Sequence, residues 1–345
     1  MAPYQLSVVV IAFNMERELP RTLHSLSPVL QRDLVGDDYE IIVIDNGSAE
    51  PVDVGRYRQW GGNICVHRMT NAAVSPAAAI NAGLALAQGE LIGVMIDGAR
   101  AASPGLLSAS LRAATLHPRP VVASLGFHLG PDVQMRSTQK GYDQRAEDAL
   151  LAGIDWPTDG YRLFDVSVFA GSSREGWFRP ITESNALFLS RPMWQELGGY
   201  DERFASLGGG LINLDAYVRA CELPDSQLVV LLGEGTFHQV HGGVATNAPA
   251  KRQRSLLREF HSEYIRVRGK PFAPPTARPW YFGEVHPHVL KSIELSARLA
   301  RRRRRAHSLA PTVARLHAAT QALRPRLLRT TNRTSLENTA KVAEP

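Results

Sequence analysis

The 345-residue sequence has little cysteine, few aromatic residues and no long uninterrupted hydrophobic segment. Its two cysteines, Cys65 and Cys221, are too few and too far apart in the chain for a disulfide framework or a CxxC metal site. The first apolar run, residues 6–13, has no basic lead-in and is too short for a signal peptide or a membrane-spanning helix. These absences argue against a disulfide-stabilised secreted protein and against a membrane-embedded one, and they favour a cytoplasmic location.

The charge of the chain is divided unevenly. The formal net charge is +6, but residues 1–250 carry −9 and residues 251–345 carry +15. A basic block of this kind favours contact with an anionic surface, either lipid headgroups, nucleic acid or an acidic acceptor. No RNA-binding motif or zinc-ligand spacing accompanies the arginine run at residues 301–305, so an anionic membrane surface is favoured over nucleic acid.

Short apolar runs rich in Ile and Val alternate with helical patterns in the first half of the chain. Residues 6–13, 40–44 and 91–96 are typical of strands buried on both faces, and residues 75–88 have the composition of a helix. This alternation predicts right-handed βαβ units and a parallel sheet. Asp45 and Asp97 each end one of these strands, at the edge where open α/β sheets bind ligands, although both also fit simple turns.

The order of the motifs resembles the family 2 glycosyltransferases. The motifs are residues 7–14, the segment Ile44-Asp45-Asn46-Gly47-Ser48, Asn81-Ala82-Gly83, Gly89-Glu90, the strand that ends at Asp97, and Gly198-Gly199-Tyr200-Asp201-Glu202-Arg203-Phe204. The resemblance covers about residues 5–245. It implies the GT-A fold, with a mostly parallel sheet flanked by helices, and transfer of a sugar from a nucleotide donor, UDP-linked by preference, to a hydroxyl acceptor with inversion.

The extent of the resemblance and the change in composition after residue 250 divide the chain into three parts. Residues 1–250 would be the nucleotide-sugar-binding catalytic domain, and residues 251–300 a helical and proline-rich extension. Residues 301–345 would be a basic, loosely ordered tail. The tail makes a peripheral membrane association an alternative to a purely cytoplasmic location.

The resemblance also implies which residues bind the donor. Ala12 and Asn14, at the end of the first strand, and Asp45 would face the nucleotide, with the Asp45 carboxylate accepting hydrogen bonds from the base. Asp97 would lie at the diphosphate. Arg100 would supply positive charge to the phosphates, or would be a solvated loop residue.

The metal site departs from the family pattern, because the usual Asp-x-Asp pair is Asp97-Gly98-Ala99 here. Three interpretations remain open: a weakened Mg²⁺ or Mn²⁺ site, a metal held by Asp97 and a distant histidine, or no metal and a role for Arg100 instead. His241, which precedes two glycines, is the preferred histidine over His238. A structural role for either histidine is the alternative.

The catalytic base is less well defined. Alignment on Arg219 places Ile212 and Asn213 where the family has an acidic pair, so the base must be sought elsewhere. Inverting transfer needs an ionised carboxylate near the acceptor hydroxyl. We favour Asp215 over Glu183 for this role, and capping of a helix N-terminus is the structural alternative for Asp215.

Two other classes of function compete with the enzyme. The missing carboxylates would suit a non-catalytic protein that binds nucleotide sugars. The arginine run would suit an adaptor for a membrane surface or for nucleic acid.

Overall fold

The computed structural model describes residues 3–61, 63–242 and 250–302. The prediction of a loosely ordered tail falls almost entirely on residues 303–345, outside the described residues. Ten strands form a single sheet within the described part of the chain. In chain order the strands are β1 Leu6–Ala12, β2 Tyr39–Asp45, β3 Ile64–Arg68, β4 Leu91–Met95, β5 Arg100–Ala102, β6 Pro120–Leu129, β7 Ser167–Phe169, β8 Ala186–Ser190, β9 Gln227–His238 and β10 Trp280–Gly283.

The helices α1 to α8 and several short 3₁₀ turns connect these strands, and residues 290–302 are helical as well. The helices are α1 Leu19–Leu26, α2 Ala77–Leu86, α3 Leu106–Ala114, α4 Gln134–Ser137, α5 Gln144–Ala152, α6 Arg191–Leu197, α7 Ile212–Cys221 and α8 Ala250–Arg268.

The sheet is mixed but mostly parallel. Its order is β10-β9-β6-β8-β4-β1-β2-β3, with β5 paired to β9 and β7 paired to β6. The β1 strand is parallel to both β2 and β4, and β9 is parallel to β6 and β10. The β8 strand runs antiparallel to its neighbours β4 and β6. The carboxyl ends of β1, β2, β4, β6 and β9 therefore share one edge with the start of β8.

Successive residues of the central strands pack into two different apolar cores. Val8 and Val10 of β1 lie in a core with α1 and α3, whereas Val9 and Ile11 lie in a core with α2, α6 and α7. All seven residues of β1 and of β2 are buried. Helices therefore cover both faces of the sheet, which explains why these strands are continuous apolar runs and confirms the α/β prediction.

The chain divides into two compact units, Met1–Ser296 and Ala297–Pro345. The first unit holds the whole sheet and all eight helices named above. Residues 297–302 of the second unit are helical. Among the described residues, no helix is both long enough and apolar enough to cross a membrane.

Candidate active site

Polar side chains from several strands meet at the carboxyl edge of the sheet. Asp97 follows β4, and His238 ends β9. Residues 183–185 also reach this edge, because β8 runs antiparallel to β4 and pairs Ala186 with Met95. Arg100 begins β5, which pairs with the end of β9. The topology thus brings together residues that are up to 141 positions apart in the chain.

Asp97, His238 and His241 form a compact cluster. The Asp97 Oδ2 atom lies 2.9 Å from His238 Nε2 and 3.3 Å from His241 Nε2, and the two Nε2 atoms are 3.1 Å apart. The side chains are 17%, 4% and 14% exposed, respectively. Their three potential ligand atoms could all contact one metal ion. The predicted pairing of Asp97 with His241 is present in the structure, and His238 joins it.

Gln134 of α4 orients the imidazole of His238. The Nδ1–H of His238 donates to Gln134 Oε1, and the main-chain N–H of Gln134 donates to His128 Nδ1 at 2.8 Å. With its proton on Nδ1, neutral His238 turns the lone pair of Nε2 toward Asp97 and His241. The lone pairs of Asp97 Oδ2 and of the histidine Nε2 atoms repel one another at these short distances, and a cation among them would remove that repulsion. The donor set of two imidazoles and one carboxylate therefore fits a divalent metal ion.

The electrostatics of the cluster are consistent with this arrangement. Burial, followed by the charge of Arg100, lowers the pKa of His238 to about 4, so this ring is neutral at pH 7. Burial alone would lower the pKa of His241, but the Asp97 carboxylate raises it above its ordinary value. Burial would likewise raise the pKa of Asp97, yet the neighbouring histidines, His241 foremost, hold it well below its usual range. The Asp97 carboxylate is therefore ionised.

Arg100 lies beside this cluster and is almost completely buried, with 9% of its surface exposed. Its Nε atom is 4.0 Å from Asp97 Oδ2. Its Nε and Nη1 atoms have no hydrogen-bond partner among the described residues. Burial lowers the pKa of Arg100, while the carboxylates of Asp97 and Glu183 oppose that shift. Arg100 is therefore a buried cation between two carboxylates, and not the solvated loop residue that the sequence left open.

Glu183 is the second carboxylate near Arg100. It is half-buried, and its Oε2 atom accepts a hydrogen bond from Asn213 Nδ2 at 3.0 Å. Asn213 also donates to the main-chain oxygen of Ser184 and accepts from the Tyr200 hydroxyl. Asn213 stands where the family pattern has an acidic residue. A carboxylate from the loop before β8 therefore lies next to that position.

Asp215 has a different environment. Its carboxylate is 1% exposed and binds Arg219 Nε at 2.8 Å and two nitrogens of Arg268 at 2.5 and 2.6 Å. Among the described residues, its hydrogen-bond partners are guanidinium groups of α7 and α8. The structure brings Glu183 to the Asp97 side of the edge and places Asp215 in an ion-pair network.

The residues expected to face the nucleotide lie at the same edge, on the β1 and β2 side. Asp45 is 1% exposed and accepts from Ser48 N at 2.8 Å and from Arg68 Nη1 at 3.1 Å. The main-chain oxygen of Ala12 accepts from Asn46 N. Asn14 has a positive φ of 52° and accepts from Ala49 N through its side chain. These contacts fix the loop that follows β2 against the end of β1.

Sequence reasoning did not identify Gln134 or His128, and it ranked His238 below His241. His128 lies near the carboxyl end of β6. However, only the cross-strand pairing of His128 with His238 puts both rings on one face. Gln134 gave no sequence signal, because its role depends on its contact with a histidine 104 positions away.

The mostly parallel sheet, with helices on both faces and carboxylates at its carboxyl edge, agrees with the GT-A fold class that the sequence predicted. The family model described as Glycosyl transferase family 2 matches residues 7–170. The resemblance seen in the sequence is therefore confirmed over residues 7–170, which are just under half of the chain.

Solved structures of S. aureus TarS are similar to the chain at 14% identity and a TM-score of 0.48. The first covers 76% of this chain and 43% of TarS, so the chain spans less than half of that protein. A structure of TarS 1-349 covers 77% of this chain and 74% of its own. A complex of TarS 1-349 with UDP-GlcNAc covers 76% and 66%. No curated protein matches the chain significantly.

Proposed function

We propose that the protein is an inverting glycosyltransferase that transfers a sugar from a UDP-linked donor to a hydroxyl acceptor. The observation that carries this proposal is the Asp97, His238 and His241 cluster at the carboxyl edge of the sheet, where Arg100 interacts electrostatically with both Asp97 and Glu183. A candidate metal site next to a half-buried carboxylate supplies what glycosyl transfer needs, namely a charged binding site for the diphosphate and a base for the acceptor.

The nucleotide is assigned to the ends of β1 and β2. Asp45 already accepts two hydrogen bonds within 3.1 Å, and its contact with Val52 N is long at 3.4 Å. A carboxylate has about four lone-pair sites, so Asp45 retains capacity to accept from a uracil N–H. Ala12 and Asn14 would border the same nucleotide through the fixed turn after β1.

A divalent cation is assigned to Asp97, His238 and His241. The two imidazole ligands favour Mn²⁺ over Mg²⁺, which prefers oxygen. When bound, the ion would neutralise charge on the departing diphosphate. Gln134 keeps His238 in the tautomer that can bind a metal, and the low pKa of His238 keeps that nitrogen free of a proton at pH 7.

Glu183 is the proposed catalytic base in preference to Asp215, because both oxygens of Asp215 are bound to arginines. The hydrogen bond from Asn213 Nδ2 holds the Glu183 carboxylate in a fixed orientation. The acceptor oxygen forms its bond to the anomeric carbon while the bond from that carbon to the diphosphate breaks. The acceptor proton passes to Glu183, and the electron pair of the broken bond leaves with UDP.

An assay of donor turnover with and without EDTA tests this proposal. We expect wild-type turnover to require Mn²⁺, and Asp97→Asn to lower it at least a hundredfold while the thermal unfolding midpoint stays close to that of the wild type. Arg162→Gln is the matched control, because Arg162 is half-exposed and pairs with Asp159 outside the site. Wild-type activity in the Asp97 variant would overturn the metal assignment.

A non-catalytic nucleotide-sugar-binding protein is the second candidate. It is favoured by Ala99 and Asn213, which stand where the family pattern has carboxylates. Calorimetry with UDP and Mn²⁺ separates the two candidates, because a binding protein would take up the nucleotide yet show no turnover with any hydroxyl acceptor.

A further inference from the structure

Three charged or titratable residues form a row across the sheet. Arg100 on β5 pairs directly with His238 on β9, and His238 pairs with His128 on β6. Directly paired residues of adjacent strands project from the same face. This row places the Arg100 guanidinium on the face that carries the Asp97 cluster.

Several buried donors on this face lack a hydrogen-bond partner among the described residues. They are Nε and Nη1 of Arg100, Nε2 of Gln134 and Oγ1 of Thr236. Gln134 contacts His238, and Thr236 pairs with Ala102, two residues from Arg100 on the same face. Buried donors are normally satisfied, because a buried donor without a partner destabilises the fold. Donors grouped around a buried cation point to a ligand that is rich in acceptor oxygens and negatively charged.

The strand order indicates which part of the nucleotide-sugar donor would lie near Arg100. From the proposed nucleotide site at β2 and β1, the sheet passes through β4 with Asp97 and then through β8 and β6 to β9 and β5. A donor laid along this edge would place its base at β2 and its diphosphate at Asp97. Its sugar would then lie beyond Asp97, where Arg100 and Glu183 are found.

Gly126 lies beside Arg100 and Asn185. A Cβ added to Gly126 would lie 3.9 Å from Arg100 Nη1 and only 2.9 Å from Asn185 Nδ2. The absence of a side chain at Gly126 therefore lets the Asn185 amide lie close to the strand next to the Arg100 guanidinium. The nearest carboxylate to Arg100, that of Asp97, is engaged by the two histidines.

We propose that Arg100 binds a carboxylate on the transferred sugar, so that the donor is a nucleotide-linked uronic acid. A guanidinium matches a carboxylate in both charge and geometry, and the surrounding N–H donors complete its shell. This inference rests on the proposed function and adds the chemical class of the sugar to it.

Binding of UDP, UDP-glucose and UDP-glucuronate in the presence of Mn²⁺ tests the inference by calorimetry. We expect the wild-type protein to bind UDP-glucuronate roughly 10- to 100-fold more tightly than UDP-glucose, the range that a charge-assisted hydrogen bond provides. Arg100→Gln should abolish this preference and leave the affinity for UDP within about twofold. Arg162→Gln, outside the site, should bind all three ligands as the wild type does.

Thermal unfolding of each variant shows whether it folds. If Arg100→Gln does not fold, Arg100→Lys retains the charge without the planar guanidinium and should reduce the preference for the acidic sugar. Equal affinity of the wild type for the two sugars overturns the inference. So does an equal loss of affinity for UDP and for both sugars in the variant, since Arg100 would then contact the diphosphate. A folded wild type that does not bind UDP overturns the proposed function itself, and the inference with it.

Discussion

The sequence left two roles open for Asp215, the catalytic base and a helix cap. The fold instead places its carboxylate in an ion-pair network with Arg219 and Arg268. Arg219, four residues later on the same helix, was visible in the sequence as a partner. Arg268 was not, because it reaches Asp215 from α8, 53 residues away. The guanidinium of Arg268 also contacts Asp201 at 2.9 Å and lies 5.5 Å from the ring of Phe204. The Asp215–Arg268 pair therefore joins α7 and α8 and also reaches the loop between α6 and α7.

We predict that Asp215→Asn destabilises the protein by roughly 2–3 kcal/mol, because two guanidinium groups lose their buried anionic partner. Urea denaturation measures this loss. Turnover per folded molecule should remain within a few-fold of the wild type. Glu183→Gln should show the opposite pattern, with near-normal stability and little turnover. A stable but inactive Asp215→Asn protein would return the role of base to Asp215.

Glu234 is a buried carboxyl group outside the candidate site. It is 3% exposed, and it accepts hydrogen bonds from the Tyr161 hydroxyl at 2.6 Å and from the Ser103 hydroxyl. Burial raises its pKa to about 7, although these hydrogen bonds oppose the shift. The ring of His286 stacks on Tyr161 at 4.1 Å, so the group also supports the contact between β9 and the segment after β10.

The raised pKa predicts a pH dependence of stability. The pKa of Glu234 is about 7 in the folded protein, against an ordinary value of 4.5, so the folded state binds the proton more tightly than the unfolded chain. The contribution of this group to stability is fully present below pH 4.5. It is lost as the pH rises to about 7, which amounts to about 3 kcal/mol.

Glu234→Gln, which removes the titration, should flatten this part of the stability profile between pH 5 and pH 8. Urea denaturation at several pH values, with Glu175→Gln as a matched control on a partly exposed glutamate, measures the difference. Identical slopes for the wild type and the Glu234 variant would contradict the prediction.

At the scale of single residues, the sequence provided a reason to expect Asp97 near His241 and none to expect Gln134. Asp97 and His241 were expected together, and they are in contact. The sequence cannot decide which of two histidines three residues apart contacts Asp97, because their orientation depends on where β9 ends. The strand continues to His238, and the turn that follows it brings His241 to the same carboxylate. The roles of these residues remain proposals.

At the scale of elements, the strands that could be predicted are those buried on both faces. The predicted strands over residues 6–13 and 40–44 correspond to β1 and β2, because burial on two sides requires a continuous apolar run. The β5 and β10 strands had no such signal. Arg100–Ala102 is only three residues long, and Trp280–Gly283 lies in a proline-rich segment, so both owe their strand conformation to pairing with the distant β9.

Two glycines permit β10 to approach β9 closely. Gly233 has a φ of +79°, and a Cβ there would lie 2.0 Å from the main-chain oxygen of Glu284. Gly283 has a φ of +142°, and a Cβ there would lie 2.2 Å from the main-chain oxygen of Leu232. In both cases the obstacle is backbone, which cannot move aside without breaking the pairing. The fit of β10 at the edge of the sheet therefore depends on these two positions.

We predict that Gly233→Ala destabilises the protein by about 1–3 kcal/mol, through the strained φ and the clash with Glu284. Limited proteolysis should detect earlier cleavage between residues 270 and 290 than in the wild type. Gly171→Ala is the control, because a Cβ at Gly171 has nothing within 4 Å. Unchanged cleavage in the Gly233 variant would show that β10 tolerates the added methyl group.

At the scale of the whole molecule, the division of the chain at residue 250 remains a prediction. Residues after 250 nevertheless contribute to the unit that carries the site. Arg268 of α8 pairs with Asp215, and β10 adds a strand beside β9. Removal of everything beyond residue 250 would therefore break an ion pair and uncover a sheet edge. A truncation that tests the basic tail must therefore end later in the chain, so that α8 and β10 are kept.

A boundary after residue 302 tests the tail separately. Residues 303–345 contain nine Lys or Arg and two acidic residues. Each basic residue near an anionic membrane contributes about 1 kcal/mol, so the full chain should co-sediment with anionic vesicles and not with neutral ones. The truncated chain 1–302 should lose at least about 100-fold in affinity, and salt should weaken the full chain's binding. Full-length protein with the arginines at positions 303–305 replaced by Gln should fall between the two. Equal vesicle binding by both chain lengths would assign membrane contact to the folded body instead.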